Sequence, residues 1–149
     1  FMVCGMLQHS VGTRRISQLG GVANRLPILA AFTVFSFLAS LGLPGLAGFV
    51  PELNVFLGAF RVMPAVALVA MISMIITAAY YLWALQRAYF GPYNERLEEA
   101  KPHDVCWFQA VPLGVLVVLI LVFGVYPAPI MDMIHTSSSY ILSIIGGVL

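Results

Sequence analysis

From Pro27 to Phe60 the chain is apolar almost throughout, and its one charged residue there is Glu52. A membrane-crossing helix needs about 20 mostly apolar residues. A straight helix over this whole stretch would be about 51 Å long, against a hydrocarbon core of about 30 Å. The middle of the stretch supplies a break: Gly42, Pro44, Gly45, Gly48 and Pro51. Proline removes a helical hydrogen bond and collides with the preceding turn, and glycine relaxes the backbone. The pattern therefore predicts two helical pieces, Pro27–Leu43 and Phe49–Phe60, joined by an irregular segment. Such backbone persists at membrane depth only where protein or a water-filled cavity satisfies it.

Two further apolar stretches come later in the chain. Residues 64–89 form a second span that gathers Tyr80, Tyr81, Trp83 and Tyr89 toward one end, as an interfacial aromatic belt does, with Arg87 at the same end. Residues 107–125 form a third, stopped by Pro127 and Pro129. Between them, Gly91–Asp104 is polar and carries Glu95, Arg96, Glu98, Glu99, Lys101 and Asp104, which reads as a solvent loop, with at most one helical turn. Residues 133–149 are an apolar tail interrupted by Ser137-Ser138-Ser139 and ending near Gly146-Gly147. It is short for a span and is expected along the interface or against neighbouring helices. Phe1–Leu7 reads as the last turns of a helix already under way, so the chain is expected to be a piece of a longer one. The expected fold is all-α: a polytopic transmembrane bundle with one discontinuous helix in residues 1–132.

Composition agrees with lipid as the solvent. The 149 residues are 61% hydrophobic and 9% charged, whereas soluble domains run at about 25% charged. No basic stripe is present, which excludes nucleic acid as a partner. No phosphate-binding glycine loop, cysteine cluster or nucleophile–base arrangement occurs, so no cofactor or metal is expected in this chain. Cys4 and Cys106 share no ligand spacing and read as ordinary apolar residues. Arg14, Arg15 and Arg25 precede the broken helix, and Arg87, Arg96 and Lys101 come after the second span. Arg61 alone falls on the other side, so six of the seven basic residues share the face expected to be cytoplasmic.

Glu52 carries the candidate chemistry. A charge at bilayer depth costs at least a few kcal/mol, which makes an intramembrane carboxylate a functional candidate. Pro51 is expected to open the second piece, placing Glu52 in its first turn, where the helix dipole favours the anion. Desolvation opposes that preference. The opposition suits a group that takes up and releases a proton. The plainer reading is ordinary first-turn chemistry after a proline, or a place at a polar interface. Asn54 is close enough in sequence to support the site by bonding a neighbouring helix. Arg87 reads either as a snorkelling helix-end cation or as part of an ion path. His9, His103 and His135 fall near span ends or loops and read as interfacial.

The run Ala39–Glu52, with Leu43-Pro44-Gly45 at its centre, resembles the broken-helix motif of the antiporter-like subunits of respiratory complex I and of multi-subunit cation/proton antiporters. Gly12-Thr13-Arg14-Arg15, Leu85–Gly91 and Gly124–Asp132 are similar, in order, to segments of the M-type subunit. The resemblance implies a C-terminal part of such a subunit, carrying the second of two broken helices. Glu52 then matches the terminal proton-transferring residue, at a position where the sister subunits tend to have Lys. Pro51 departs from the family, which often has Gly before this Glu. The function the resemblance implies is proton translocation coupled to NADH:quinone electron transfer. Flavin, iron–sulfur clusters and quinone would reside in partner subunits of the membrane and peripheral arms. The chain would sit in an energy-transducing membrane, either the bacterial plasma membrane or an organellar inner membrane. The alternatives are a subunit of a sodium/proton antiporter and a structural membrane subunit with no ion path of its own.

Overall fold

A computed structural model describes residues 1–92 and 102–146. The described residues are helical with short connections: α1 (Met2–Val11), a 3-10 turn (Ile16–Gln18), α2 (Val22–Arg25), α3 (Pro27–Ser40), α4 (Phe49–Val62), α5 (Pro64–Ala88), α6 (Trp107–Val125) and α7 (Ala128–Gly146). Most of the polar loop Gly91–Asp104, with Glu95, Arg96, Glu98, Glu99 and Lys101, lies outside the described residues.

Proline sets two of the starts. Pro27 and Pro64 occupy the first turns of α3 and α5, where a missing N–H costs nothing. A residue before proline avoids the helical region. Met63 is accordingly extended, at φ −141° and ψ 76°, so it ends α4 and reverses the chain into α5. At α1 the stop is Gly12, left-handed at φ 75°, whose N–H donates to the Gln8 carbonyl at 2.9 Å.

Lengths decide how the bundle meets a membrane. α5 has 25 residues and α6 has 19, and both are apolar enough to cross. α3 and α4 have 14 each, or about 21 Å at 1.5 Å per residue. Neither alone crosses a core of about 30 Å; the pair does. Most of α5 and α6 faces outward: Val66, Val69, Ile72, Ile75, Ile76 and Val118 are all exposed. Large apolar surfaces of this kind lie against lipid or other protein.

The buried core sits at one end. Val22, Leu26 and Leu29 are almost wholly enclosed, packed with Leu7, Leu19, Leu85 and Ala88. Thr33 is buried with them; its Oγ1 bonds the Leu29 carbonyl at 2.8 Å and the Tyr89 hydroxyl at 2.8 Å. Ala23 N–H donates to the Tyr89 carbonyl at 3.1 Å. One turn deeper, Phe37 and Tyr81 meet edge-to-face with centroids 4.9 Å apart. These pairs fix α3 antiparallel to α5. Arg14, Arg15, Arg25 and Arg87 lie at this end, and Arg61 is in the last turn of α4, away from it.

Asp104, expected in a solvent loop, is half-buried and caps α3. Its carboxylate accepts Ile28 N–H at 3.0 Å and Leu29 N–H at 3.2 Å, across 76 and 75 residues of sequence, as well as Val105 N–H at 2.7 Å. Ser10 Oγ adds a bond to the His103 carbonyl at 2.8 Å. The segment that leads into α6 is thus tied to the start of the broken helix. Asp104→Ala should cost about 1 kcal/mol, the usual value of a lost N-cap, with a smaller loss for Asp104→Asn. Thermal unfolding of the purified protein measures this; an alanine variant that melts like the parent would show that the cap contributes nothing.

Candidate functional site

The interruption between α3 and α4 is built by hydrogen bonds that close the first helix. Gly42 takes φ 65°, and its N–H donates to the Ala39 carbonyl at 3.3 Å. Leu43 N–H donates to the Leu38 carbonyl at 3.4 Å. This pair of bonds is a Schellman motif, which needs a left-handed residue and therefore glycine. Gly45, at φ 89°, turns the chain again. Leu46 N–H reaches the Leu43 carbonyl at 3.0 Å, and Phe49 N–H reaches Leu46 at 3.1 Å. The α3 carbonyls and the loop amides find these partners inside the loop itself, as backbone at membrane depth must.

α4 begins at Phe49, where the pattern places the second piece, so Pro51 is its third residue and does not open it as expected. The missing N–H there is still one of the amides that has no helical partner. Glu52 is in the first turn, and its N–H donates to the Gly48 carbonyl at 3.4 Å.

The Glu52 side chain folds back onto the end of α3. A Cβ placed on Gly42 would sit 2.8 Å from Glu52 Cδ and would overlap Oε2. The carboxylate thus rests on the bare Cα of Gly42, which is buried while Glu52 is half-buried. Gly48 makes a second close approach, since a Cβ there would lie 2.7 Å from the Ala39 carbonyl oxygen. No described residue donates a hydrogen bond to the Glu52 carboxylate or pairs with it as an ion.

Depth is set by the helix rise. Gly42 is about 22 Å along the axis from Pro27, and Glu52 is about 15 Å of helix short of Val62, at 1.5 Å per residue. Counted along the helices, the carboxylate is therefore far from both outer ends of the α3–α4 pair.

The other expected residues are not gathered at Glu52. Asn54 is two positions on, about 200° around the helix, and so faces away. Its Nδ2 bonds the Val50 carbonyl at 2.9 Å and reaches Met131 Sδ of α7 at 4.0 Å. Arg87 stacks over the Trp83 ring, 5.1 Å from the centroid, at the basic end of α5. That end is level with Thr33, roughly 13 Å along α3 from Gly42. Pro44 is exposed in the loop, and His9, His103 and His135 are exposed. Cys4 and Cys106 are free thiols. Among the described residues, no three His, Cys, Asp or Glu side chains form a metal-ligand group.

Sequence reasoning passed over Gly124 as a structural residue. It is buried in the last turn of α6, and a Cβ there would lie 2.5 Å from Leu46 Cα and overlap the Gly45 carbonyl oxygen. Nothing local in the sequence marks it, since Gly114 in the same helix has nothing within 4 Å of its missing Cβ. A cavity of about 520 Å³ lies between α1, α3 and α5 on the basic side of the break. It reaches down α3 past Thr33 and Ser36 to Ser40, and Glu52 is not among its walls.

Residues 1–77 match the family model described as NADH:quinone oxidoreductase/Mrp antiporter, transmembrane. The chain is 41% identical over 147 residues to the F(420)H(2) dehydrogenase subunit M of Methanosarcina mazei, covering 99% of this chain and 29% of that protein. It is 39% identical over 132 residues to the NADH-quinone oxidoreductase subunit M of Pseudomonas aeruginosa, covering 89% of this chain and 25% of that one. A chain in a structure of respiratory complex I from Thermus thermophilus with bound NADH superimposes with a TM-score of 0.73 at 35% identity, over 84% of this chain and 26% of that one. The chain spans under a third of the length of these relatives.

The Gly42–Glu52 contact can be separated from backbone strain. Gly12 has a similar φ of 75° with nothing within 4 Å of its missing Cβ. Alanine at Gly12 should cost about 1–2 kcal/mol, the left-handed penalty alone. Gly42→Ala should cost more, because it must also expel the carboxylate. Equal losses in melting experiments would show that Glu52 does not rest on Gly42.

Proposed function

The chain belongs to the NADH:quinone oxidoreductase/Mrp antiporter transmembrane family, and from that membership we propose that it is a proton-translocating part of a quinone oxidoreductase's membrane arm, with Glu52 as the group that carries the proton. The carrying observation is the placement of that side chain. It is a half-buried carboxylate without a fixed cation or donor among the described residues, at the mouth of a helix break, about 15 Å of helix from the nearer end of the crossing. A carboxylate locked in an ion pair resists protonation. One left unpaired beside interrupted backbone can accept a proton, become the neutral acid, and return the proton without any other bond changing.

The surroundings accommodate both forms. Glu52 is in the first turn of α4, where the positive end of the helix dipole favours the anion. The side chains exposed near it on α4, Leu53, Val55 and Leu57, are apolar and carry no charge. Proton exchange then depends on what polar group or water reaches the half-exposed side of Glu52. The residues that supply it would come from the rest of the longer protein, as would most of the path. Release would occur on the side of Arg61, the less basic face.

The protein is an integral membrane protein of an energy-transducing membrane, bacterial plasma or organellar inner, in this reading. Its partners would be the other membrane-arm subunits. Electron transfer through flavin and iron–sulfur clusters to quinone would take place in those partners. Its relatives belong to an F(420)H(2) dehydrogenase and to an NADH-quinone oxidoreductase, so likeness to this chain does not select the electron donor. The family description also spans Mrp antiporters, which favours a second reading, a sodium/proton antiporter subunit without a redox partner. Copurification separates the two: flavin and iron–sulfur proteins accompany the first and not the second.

Glu52→Gln keeps the shape and removes the titratable group. In vesicles containing the assembled complex it should leave assembly intact and abolish proton pumping coupled to quinone reduction. Pumping near the parent level would refute the role given to Glu52.

A further inference from the structure

The α6–α7 corner touches the chain before and after Glu52, once in the break and once on α4. On one side, buried Gly124 of α6 lies directly on the Gly45–Leu46 backbone, three to four residues after Gly42. On the other, Met131 of α7 meets Asn54, two residues after Glu52, at 4.0 Å. Only Tyr126 and Pro127 separate the two helices. Pro127 opens the next turn through its carbonyl, which accepts Ile130 N–H at 3.1 Å and Met131 N–H at 3.0 Å. The corner is therefore short and pinned, and its two contacts bracket the carboxylate in sequence.

We propose that this corner is a clasp that positions Glu52 by fixing the loop on which the carboxylate rests, with Gly124 as its principal positioning residue. The inference rests on the role proposed for Glu52. The physical chain is short. A side chain at Gly124 collides with backbone, which cannot rotate away as a side-chain tip does. The loop must then shift at Gly45–Leu46. Leu46 N–H is bonded to the Leu43 carbonyl and Leu43 N–H to Leu38 at the end of α3, so the shift is delivered to Gly42. Glu52 lies on Gly42 and moves with it. Displacement of a reacting group by about 1 Å can lower a rate by up to about 100-fold. α7 joins the same device only through Met131; its hydroxyls Thr136, Ser137, Ser139 and Ser143 bond back to their own helix.

The test uses the full subunit in its complex, reconstituted in vesicles. Gly124→Ala is compared with Gly114→Ala, the same change in the same helix where the added Cβ meets nothing within 4 Å. Assembly, quinone reduction, protons pumped per electron and the pH profile of pumping are measured for each. Gly114→Ala should match the parent. Gly124→Ala should assemble, reduce quinone, pump about tenfold fewer protons per electron, and show a displaced pH profile, which a general loss of stability would not produce. If both variants pump alike, the clasp is overturned. If Gly124→Ala fails to assemble, Met131→Ala decides, because it removes a contact without adding a clash: a shifted pH profile supports the clasp, and parental behaviour overturns it. Glu52→Gln, run alongside, keeps the two ideas apart. Normal pumping there sinks the role of Glu52 itself, whereas lost pumping there with a normal Gly124→Ala sinks only the clasp.

Discussion

A carboxylate resting on a residue that has no side chain organises this protein. Glu52 folds back over Gly42, and each makes a demand on its surroundings. Gly42 must be glycine twice over, since its left-handed φ and the space above its Cα both exclude a Cβ. Glu52 lies at a helix start, where the dipole offsets part of the cost of a charge inside an apolar bundle. The break between α3 and α4 meets both demands together. It ends one helix on Gly42 and begins the next three residues before Glu52.

Such a break is held by anchors above and beside it. At the basic end, Asp104 caps α3 while Thr33 and Tyr89 tie α3 to α5, and the buried core of the chain is concentrated there. At the level of the loop, Gly124 brings the backbone of α6 onto Gly45 and Leu46. α4, by contrast, has no buried residue and contributes most of its apolar surface outward. The chain is rigid where the broken helix begins and open where it ends. That asymmetry places the exposed half of Glu52 toward surfaces that the rest of the longer protein, lipid or partner subunits would cover.

Much of this could be read from the residues. A 34-residue apolar run with five Gly and Pro residues in its middle cannot be one helix, and a single acidic residue inside it stands out on cost alone. The prolines at 27 and 64 mark helix starts for a purely local reason. What was not legible depended on contacts between distant parts of the chain. Asp104 looked like one more loop acid, and only its distance to amides 76 and 75 residues away makes it a cap. Gly124 begins a family-like segment in the sequence, and only the backbone of Gly45 and Leu46 lying against it gives it a packing role. Asn54 is a neighbour of Glu52 in sequence, but a separation of two helical residues places side chains on opposite faces. In the tail, the three serines suggested an interruption. α7 nonetheless runs through them unbroken, and Ser137 and Ser139 satisfy their hydroxyls on carbonyls three or four residues back.

The central claim is that Glu52 changes protonation as the complex works. Infrared difference spectroscopy of the assembled complex during turnover, with Glu52→Gln as the reference, observes that carboxyl group directly. The account predicts a band of protonated carboxylic acid that comes and goes with turnover and is absent from the variant. A carboxyl signal at Glu52 that stays constant throughout turnover would contradict it.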